Sequence, residues 1–208
     1  EGHARHKKQS GGAGQFGEVY LRVEPLTRGE GFQFVDEVKG GAIPFNFIPA
    51  VEKGVREVLT QGFIAGYPMQ DIKVTVYDGK SHPVDSKEVA FVAAGRKAML
   101  DALAKASPTL LEPIAKLTIT APTVTLGDIA GDLASRRGQV LNTVATSSTS
   151  MEILATVPLA EMDGYAARLN AMTQGAAVFT FEFYAYQPAP MQKQQELAAK
   201  YQRKDEDD

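Results

Sequence analysis

Three stretches of this chain hold residue types at spacings that can do chemistry. The first is Lys7-Lys8-Gln9-Ser10-Gly11-Gly12-Ala13-Gly14-Gln15-Phe16-Gly17-Glu18-Val19. Its centre reads G-x-G-x-F-G-x-V, the spacing of a loop folded over nucleotide phosphates, because glycines let backbone N–H groups come close to an anion or another backbone. The lysines and glutamines around those glycines also suit the phosphates and riboses of RNA. The second stretch is Lys80-Ser81-His82-Pro83-Val84, a short polar loop. Its imidazole can stack on a base or hydrogen-bond a ribose without proton chemistry, whereas most exposed loop histidines are simply solvated. The third is Arg136-Arg137 at the expected end of a helix. There a cation complements the helix dipole or, alternatively, meets a phosphate.

The nucleotide reading of the first stretch needs partners that the sequence lacks. A protein kinase would add Val-Ala-Ile-Lys, His-Arg-Asp and Asp-Phe-Gly, and none of these occurs. The glycine–four residues–Gly-Lys-Ser/Thr phosphate loop is also missing. A dinucleotide fingerprint would open a helix, but here an alternating segment follows the glycines. What remains is an RNA-facing loop set against a plain flexible hairpin.

Composition narrows the classes further. With no cysteine there is no disulfide or thiolate metal site, and three histidines, two of them in what reads as an N-terminal tail, make no zinc cluster. No run of about 18 apolar residues occurs, and the first eight residues lack the apolar centre of a signal peptide. The 208 residues leave room for one large domain or two of about 100 residues. A start without methionine or a preceding element reads as a piece of a longer protein. The net charge of −3 advertises no nucleic acid. Cations nevertheless gather at positions 5–8 and at Arg136-Arg137, and a local patch is enough because phosphate attraction decays over roughly 8 Å.

The elements that must position these groups follow from periodicity. Glu18 to Glu24 alternates as a half-buried strand, and Phe32-Gln33-Phe34-Val35 is expected to be its antiparallel neighbour. Pro49 opens a helix carrying Val51, Val55 and Leu59, which Gly62 ends. Ile72 to Tyr77 is a strand, with Asp78-Gly79 as its turn. Asp85 and Glu88 have capping-box spacing, so Asp85 is expected to cap a helix whose buried stripe is Val89, Val92, Met99, Leu100 and Leu103. After Pro108, strand, helix, strand, strand, helix and strand follow. Gly138 stops the first of those helices, and Pro158 opens the second with Leu159, Met162, Ala166 and Leu169 on its face. Phe179, Phe181 and Phe183 alternate in the last strand. This β-α-β-β-α-β order is the ferredoxin-like split βαβ. Gln192 to Lys204 is a candidate C-terminal helix.

Taken together, these segments resemble the fourth and fifth domains of bacterial elongation factor G. The matching stretches are Lys8 to Gly17, Gly40-Gly41-Ala42-Ile43-Pro44, Ile48-Pro49-Ala50-Val51-Glu52-Lys53-Gly54 and Asp71 to Gly79. They continue with His82-Pro83-Val84-Asp85-Ser86, Leu111-Glu112-Pro113, Gly127 to Leu133 with Arg136-Arg137-Gly138, and Pro158 to Tyr165. They stand in family order over nearly the whole chain.

The resemblance implies an α+β chain. Residues 1–108 would form a ribosomal-protein-S5-like α/β domain with a left-handed βαβ crossover. Residues 109–188 would form the ferredoxin-like domain, and 189–208 a C-terminal helix or tail. It implies a cytoplasmic, monomeric partner of the ribosome, meeting 16S and 23S rRNA, tRNA and mRNA while tRNA and mRNA move. GTP and Mg would belong to an upstream GTPase domain, with no catalytic, cofactor or metal residue here. By position, the RNA-facing residues would be Lys8, Gln9, Ser10, Gly11, Gly12, Gly14 and Gln15 in one tip loop, Lys80, Ser81 and His82 in the other, and Arg136 with Arg137 near large-subunit rRNA. Where the family commonly carries arginine between the loop glycines, this chain has Ala13. That departure, with the Arg5-His6-Lys7-Lys8 lead-in and His82-Pro83, resembles a second, paralogous elongation factor G acting in translocation or ribosome recycling; the alternatives are ribosome protection and an RNA-binding module that works without GTP.

Overall fold

A computed structural model describes residues 1–9, 12 and 14–201 and divides the chain into two compact units. One unit holds residues 1–109 together with the segment from Met191 onward, and the other holds Leu110–Pro190.

The first unit is a four-stranded sheet backed by two helices. Its elements are β1 (Gly2–Lys8), β2 (Gln15–Pro25), β3 (Phe32–Asp36), α1 (Ile48–Gln61), β4 (Ile72–Lys80) and α2 (Glu88–Ala106), with strand order β1-β2-β4-β3. The expected N-terminal tail is therefore a strand, paired antiparallel with β2 from Gly2↔Leu21 to Lys8↔Gln15. The expected antiparallel pairing of 32–35 with the strand before it is also corrected, because β3 runs parallel to β4 instead. Burial explains this. Val74, Thr75 and Val76 are fully buried on successive positions, so β4 is covered on both faces and takes the centre, while half-buried β3 takes the edge. Nor does the strand turn at Asp78-Gly79. It continues to Lys80, and Gly79 is required there because a Cβ would meet the Glu18 carbonyl oxygen and the side chain of Ile43.

Pro49 does lie in the first turn of α1, and Gly62, at φ 75°, ends it. α1 buries Val51, Val55 and Val58 against α2, where the two helices cross on glycines. A Cβ on Gly54 would strike the Val92 carbonyl, and one on Gly95 would lie 2.7 Å from that of Val51. The buried stripe of α2 is Ala90, Phe91, Ala94, Gly95, Ala98, Met99, Ala102 and Leu103. Val89, expected in that stripe, is exposed. The mostly small residues let α1 and β1 approach closely.

The second unit contains β5 (Leu111–Pro122), α3 (Leu126–Ser135), β6 (Gln139–Ala145), β7 (Ser150–Pro158), α4 (Tyr165–Thr173) and β8 (Val178–Pro188). Every pairing is antiparallel, in the order β6-β7-β5-β8, which places the first and third strands at the centre as the split βαβ requires. Ala115, Leu117, Ile119 and Ala121 of β5 face inward as their alternation predicts. The second helix starts at Tyr165 rather than Pro158: a 3-10 turn at Leu159–Glu161 comes first, and Gly164 breaks the path at φ 68°. Leu159 and Ala166 are consequently exposed, and Tyr165, Leu169 and Thr173 face the core. Phe181 and Phe183 alternate with Thr180 and Glu182 yet are more than half exposed, because β8 is an edge strand and Tyr165 covers only Phe179. α5 (Met191–Lys200) follows and belongs to the first unit, where the Tyr201 ring lies against Gly66. The last residues expected in that helix, 202–204, lie outside the described residues.

Candidate RNA interface

Strand register brings the first two candidate loops to one end of the first unit. Lys8↔Gln15 is the last pair of the β1–β2 hairpin, which puts Gln9 and Gly14 at its closing end. β4 ends at Lys80 beside Glu18, which sends residues 81–87 out of the same end of the sheet. Phe16 and Ser86 form a parallel bridge between the loops. The Phe16 N–H donates to the Asp85 carbonyl at 2.9 Å, and the Ser86 hydroxyl donates to the Phe16 carbonyl at 3.0 Å. The same hydroxyl accepts the His82 N–H at 2.8 Å, and the Ser86 N–H returns to the His82 carbonyl at 3.2 Å.

His82 is therefore fixed at both backbone and ring. Its Nδ1 accepts from the Asp85 N–H at 3.1 Å and the Val84 N–H at 3.3 Å. The ring is half exposed and tilted against Phe16, with centroids 6.2 Å apart. Asp85 does not cap α2, whose N-cap is Lys87 with no side-chain cap bond. Asp85 faces the loops instead: its carboxylate lies 3.5 Å from His82 Nδ1 and beside Gly14, where a Cβ would stand 2.7 Å from the carboxylate carbon. Helix capping loses to this cross-loop packing.

Lys8, Gln9, Gly12, Lys80, Ser81 and His82 are exposed at this end, and Gly14 is buried under Asp85. The Gln15 side-chain oxygen is held 2.9 Å from His6 Nε2. Ser10, Gly11 and Ala13 lie outside the described residues. Among the described residues, Lys7, Lys8, Lys80 and Lys87 have no ion-pair partner. Arg5 is different. It shares with His3 and Tyr20 the carboxylate of Glu18, which is 1% exposed. Burial pushes the Glu18 pKa up, but hydrogen bonds from His3, Arg5 and Tyr20 outweigh burial and hold it below the usual range. One cation of the basic lead-in is thus committed to neutralising the sheet.

In the second unit, Arg136 and Arg137 end α3. The Arg137 N–H bonds to the Ala134 carbonyl and the Gly138 N–H to the Leu133 carbonyl, a Schellman end. Arg137 takes the left-handed position, at φ 61°, so the residue that reverses the chain is the arginine and not Gly138. Its guanidinium binds Glu112 at 2.6 and 2.9 Å and Glu161 at 3.0 Å, which raises its pKa. Arg136 reaches Asp132 at 2.9 Å and the carbonyls of Glu161 and Asp163, and lies over the Tyr165 ring. Both side chains are engaged within their own unit.

The reading of residue types missed Phe16 and Ser86 as the link between loops. Ser86 stands four residues after His82, but its second partner is 70 residues away in sequence. Among the described residues no cluster of histidines and carboxylates could hold a metal ion, and no helix is long and apolar enough to cross a membrane.

With this geometry in place, comparison with known proteins gives a consistent result. The family model "Elongation factor G, domain IV" matches residues 1–107, and "Elongation factor G C-terminus" matches residues 109–197. Curated relatives named elongation factor G from Dehalococcoides mccartyi strains BAV1 and CBDB1 are each 51% identical over 183 residues. That stretch is 88% of this chain and 26% of each relative, so the chain spans about a quarter of the relatives' length. A crystal structure from Thermus thermophilus superposes with a TM-score of 0.79 and 38% identity, over 95% of this chain and 29% of that one.

Proposed function

This chain belongs to the elongation factor G family, as its domain IV and C-terminal domain, and from that premise we propose that it is the ribosome-reaching part of a translational GTPase. GTP and Mg belong to an upstream domain of the parent factor, and the partners here are rRNA, tRNA and mRNA in the cytoplasm. The carrying observation is the pair of loops stapled by Phe16 and Ser86, with a fixed histidine and lysines that have no ion-pair partner among the described residues at one end. Lys8, Gln9, Gly12, Lys80, Ser81 and His82, exposed at this end, face RNA of the decoding region, while Gly14 under Asp85 and Gln15 on His6 shape the loop that presents them. The arm occupies space that tRNA vacates and hinders its return, so that hydrolysis elsewhere acquires a direction. Arg136 and Arg137 have a smaller share in this reading, because a phosphate would first have to displace Glu112 and Glu161.

The direct test is His82→Ala in the full-length factor, with single-turnover translocation as the readout. Loss of one base-stacking or ribose contact should slow the step about tenfold. An unchanged rate removes His82 from the mechanism. A second reading, ribosome recycling, draws on Ala13, which deletes a phosphate-binding charge common in the family. A full-length factor that splits post-termination ribosomes but fails to translocate would favour it.

A further inference from the structure

We infer that Ser86 is a positioning residue: its hydroxyl ties His82 to Phe16 at the start of β2 and thereby presents the imidazole in one tautomer, with Nε2–H as an outward donor. The inference rests on the RNA-facing reading of the loops and adds which atom of His82 makes the contact.

The geometry leads there step by step. Two backbone N–H groups, of Val84 and Asp85, point at Nδ1. A nitrogen that accepts them has no proton of its own, so the neutral ring carries its proton on Nε2. Nε2 has no partner among the described residues, and the side chain is half exposed. Such a donor matches an oxygen acceptor on RNA, a ribose 2′-oxygen or a phosphate. The Asp85 carboxylate, 3.5 Å from Nδ1, is the charged group facing the ring, and Phe16 closes its other side.

What keeps the turn in this shape is the hydroxyl of Ser86. It accepts from the His82 N–H at 2.8 Å and donates to the Phe16 carbonyl at 3.0 Å, so one oxygen joins the two loops. Alanine at 86 would leave the backbone bonds Ser86 N–H to His82 O and Phe16 N–H to Asp85 O in place. The fold would survive, but the ring would lose its fixed bearing.

Two measurements test this. With the histidines and backbone labelled with nitrogen-15, scalar coupling across an N–H···N hydrogen bond reports directly on the Asp85 amide and His82 Nδ1. The expected spectrum of this chain shows that coupling, shows it lost in Ser86→Ala, and shows it restored in Ser86→Thr, which keeps the hydroxyl. Absence of the coupling in the unmodified chain, or a proton found on Nδ1, overturns the inference. In the full-length factor, Ser86→Ala should slow translocation about threefold to tenfold, the worth of one hydrogen bond, and should have no further effect in a His82→Ala background. An equal slowing in that background overturns positioning, since Ser86 would then act without His82. If the coupling is present but His82→Ala itself leaves translocation unchanged, the RNA-facing reading fails, and the role assigned to Ser86 fails with it.

Discussion

Asp71 stands at the entrance to β4 with φ 60° and 6% exposure, and it organises the turn between β2 and β3. Its Oδ1 accepts from the Gly31 and Gly29 N–H groups, each at 3.0 Å, and its Oδ2 meets Arg28 at 3.0 Å. The Gly31 amide, with Arg28 and the Gly29 amide, outweighs burial and holds this carboxyl below the ordinary range. A depressed folded pKa contributes stability that is complete above the unfolded value of about 3.9 and is lost as pH falls through the folded value. Asp71→Asn keeps an oxygen for the glycine amides and tolerates the left-handed backbone, but it loses the charge. It should cost about 1–2 kcal/mol at neutral pH. Urea titrations should show that difference shrinking below about pH 4. A difference that stays constant to lower pH would mean the charge on Asp71 contributes nothing. The half-exposed Arg28 is screened by solvent, so most of the effect belongs to the amides.

At the scale of elements, two kinds of helical glycine make opposite predictions. Gly54 lies where α1 crosses α2, and a methyl group there meets the Val92 carbonyl and, at 2.8 Å, the Arg96 amide nitrogen. Gly54→Ala should destabilise by about 1–3 kcal/mol despite the better helix propensity of alanine. Gly131 lies on the exposed side of α3 with nothing within 4 Å of where a methyl group would stand, so Gly131→Ala should stabilise by about 0.5–1 kcal/mol. Denaturation midpoints of the two variants should move in opposite directions. Sequence periodicity cannot separate these glycines, because both interrupt an apolar helical pattern and differ only in what lies opposite. The same limit explains what was legible elsewhere. β5 was readable because one of its faces is buried and the other is not. The partner of β3 was not, since the pattern of Phe32 to Val35 is equally good beside β2 or β4. The loop of His82 was visible as a polar turn, and Asp85 looked like a cap. Its true neighbour, Gly14, is on another element, and local spacing carries no sign of it. α4 was misplaced by seven residues because Pro158 can open a 3-10 turn as readily as a helix.

For the whole molecule the issue is charge. The chain carries −3 overall, so at long range it gains nothing from the field of an RNA. The basic lead-in is also weaker than its composition suggests, because Arg5 is bound to Glu18. In the second unit Arg136 and Arg137 are bound to Asp132, Glu112 and Glu161. Among the described residues, the cations left without ion pairs at the loop end are Lys7, Lys8, Lys80 and Lys87, and these set the number of phosphates the arm can neutralise. Each phosphate neutralised on single-stranded nucleic acid contributes about 0.7 to the slope of log affinity against log salt. Lys8→Ala combined with Lys80→Ala in the full-length factor should therefore flatten the salt dependence of ribosome binding by roughly 1.4. Glu152→Gln, an exposed position in the second unit with no ion pair among the described residues, changes the net charge by one without freeing a cation at the loops and should leave that slope where it was. If Glu152→Gln alters the slope as much as the double lysine variant does, the attraction depends on total charge, and the loops lose their claim to be the electrostatic contact.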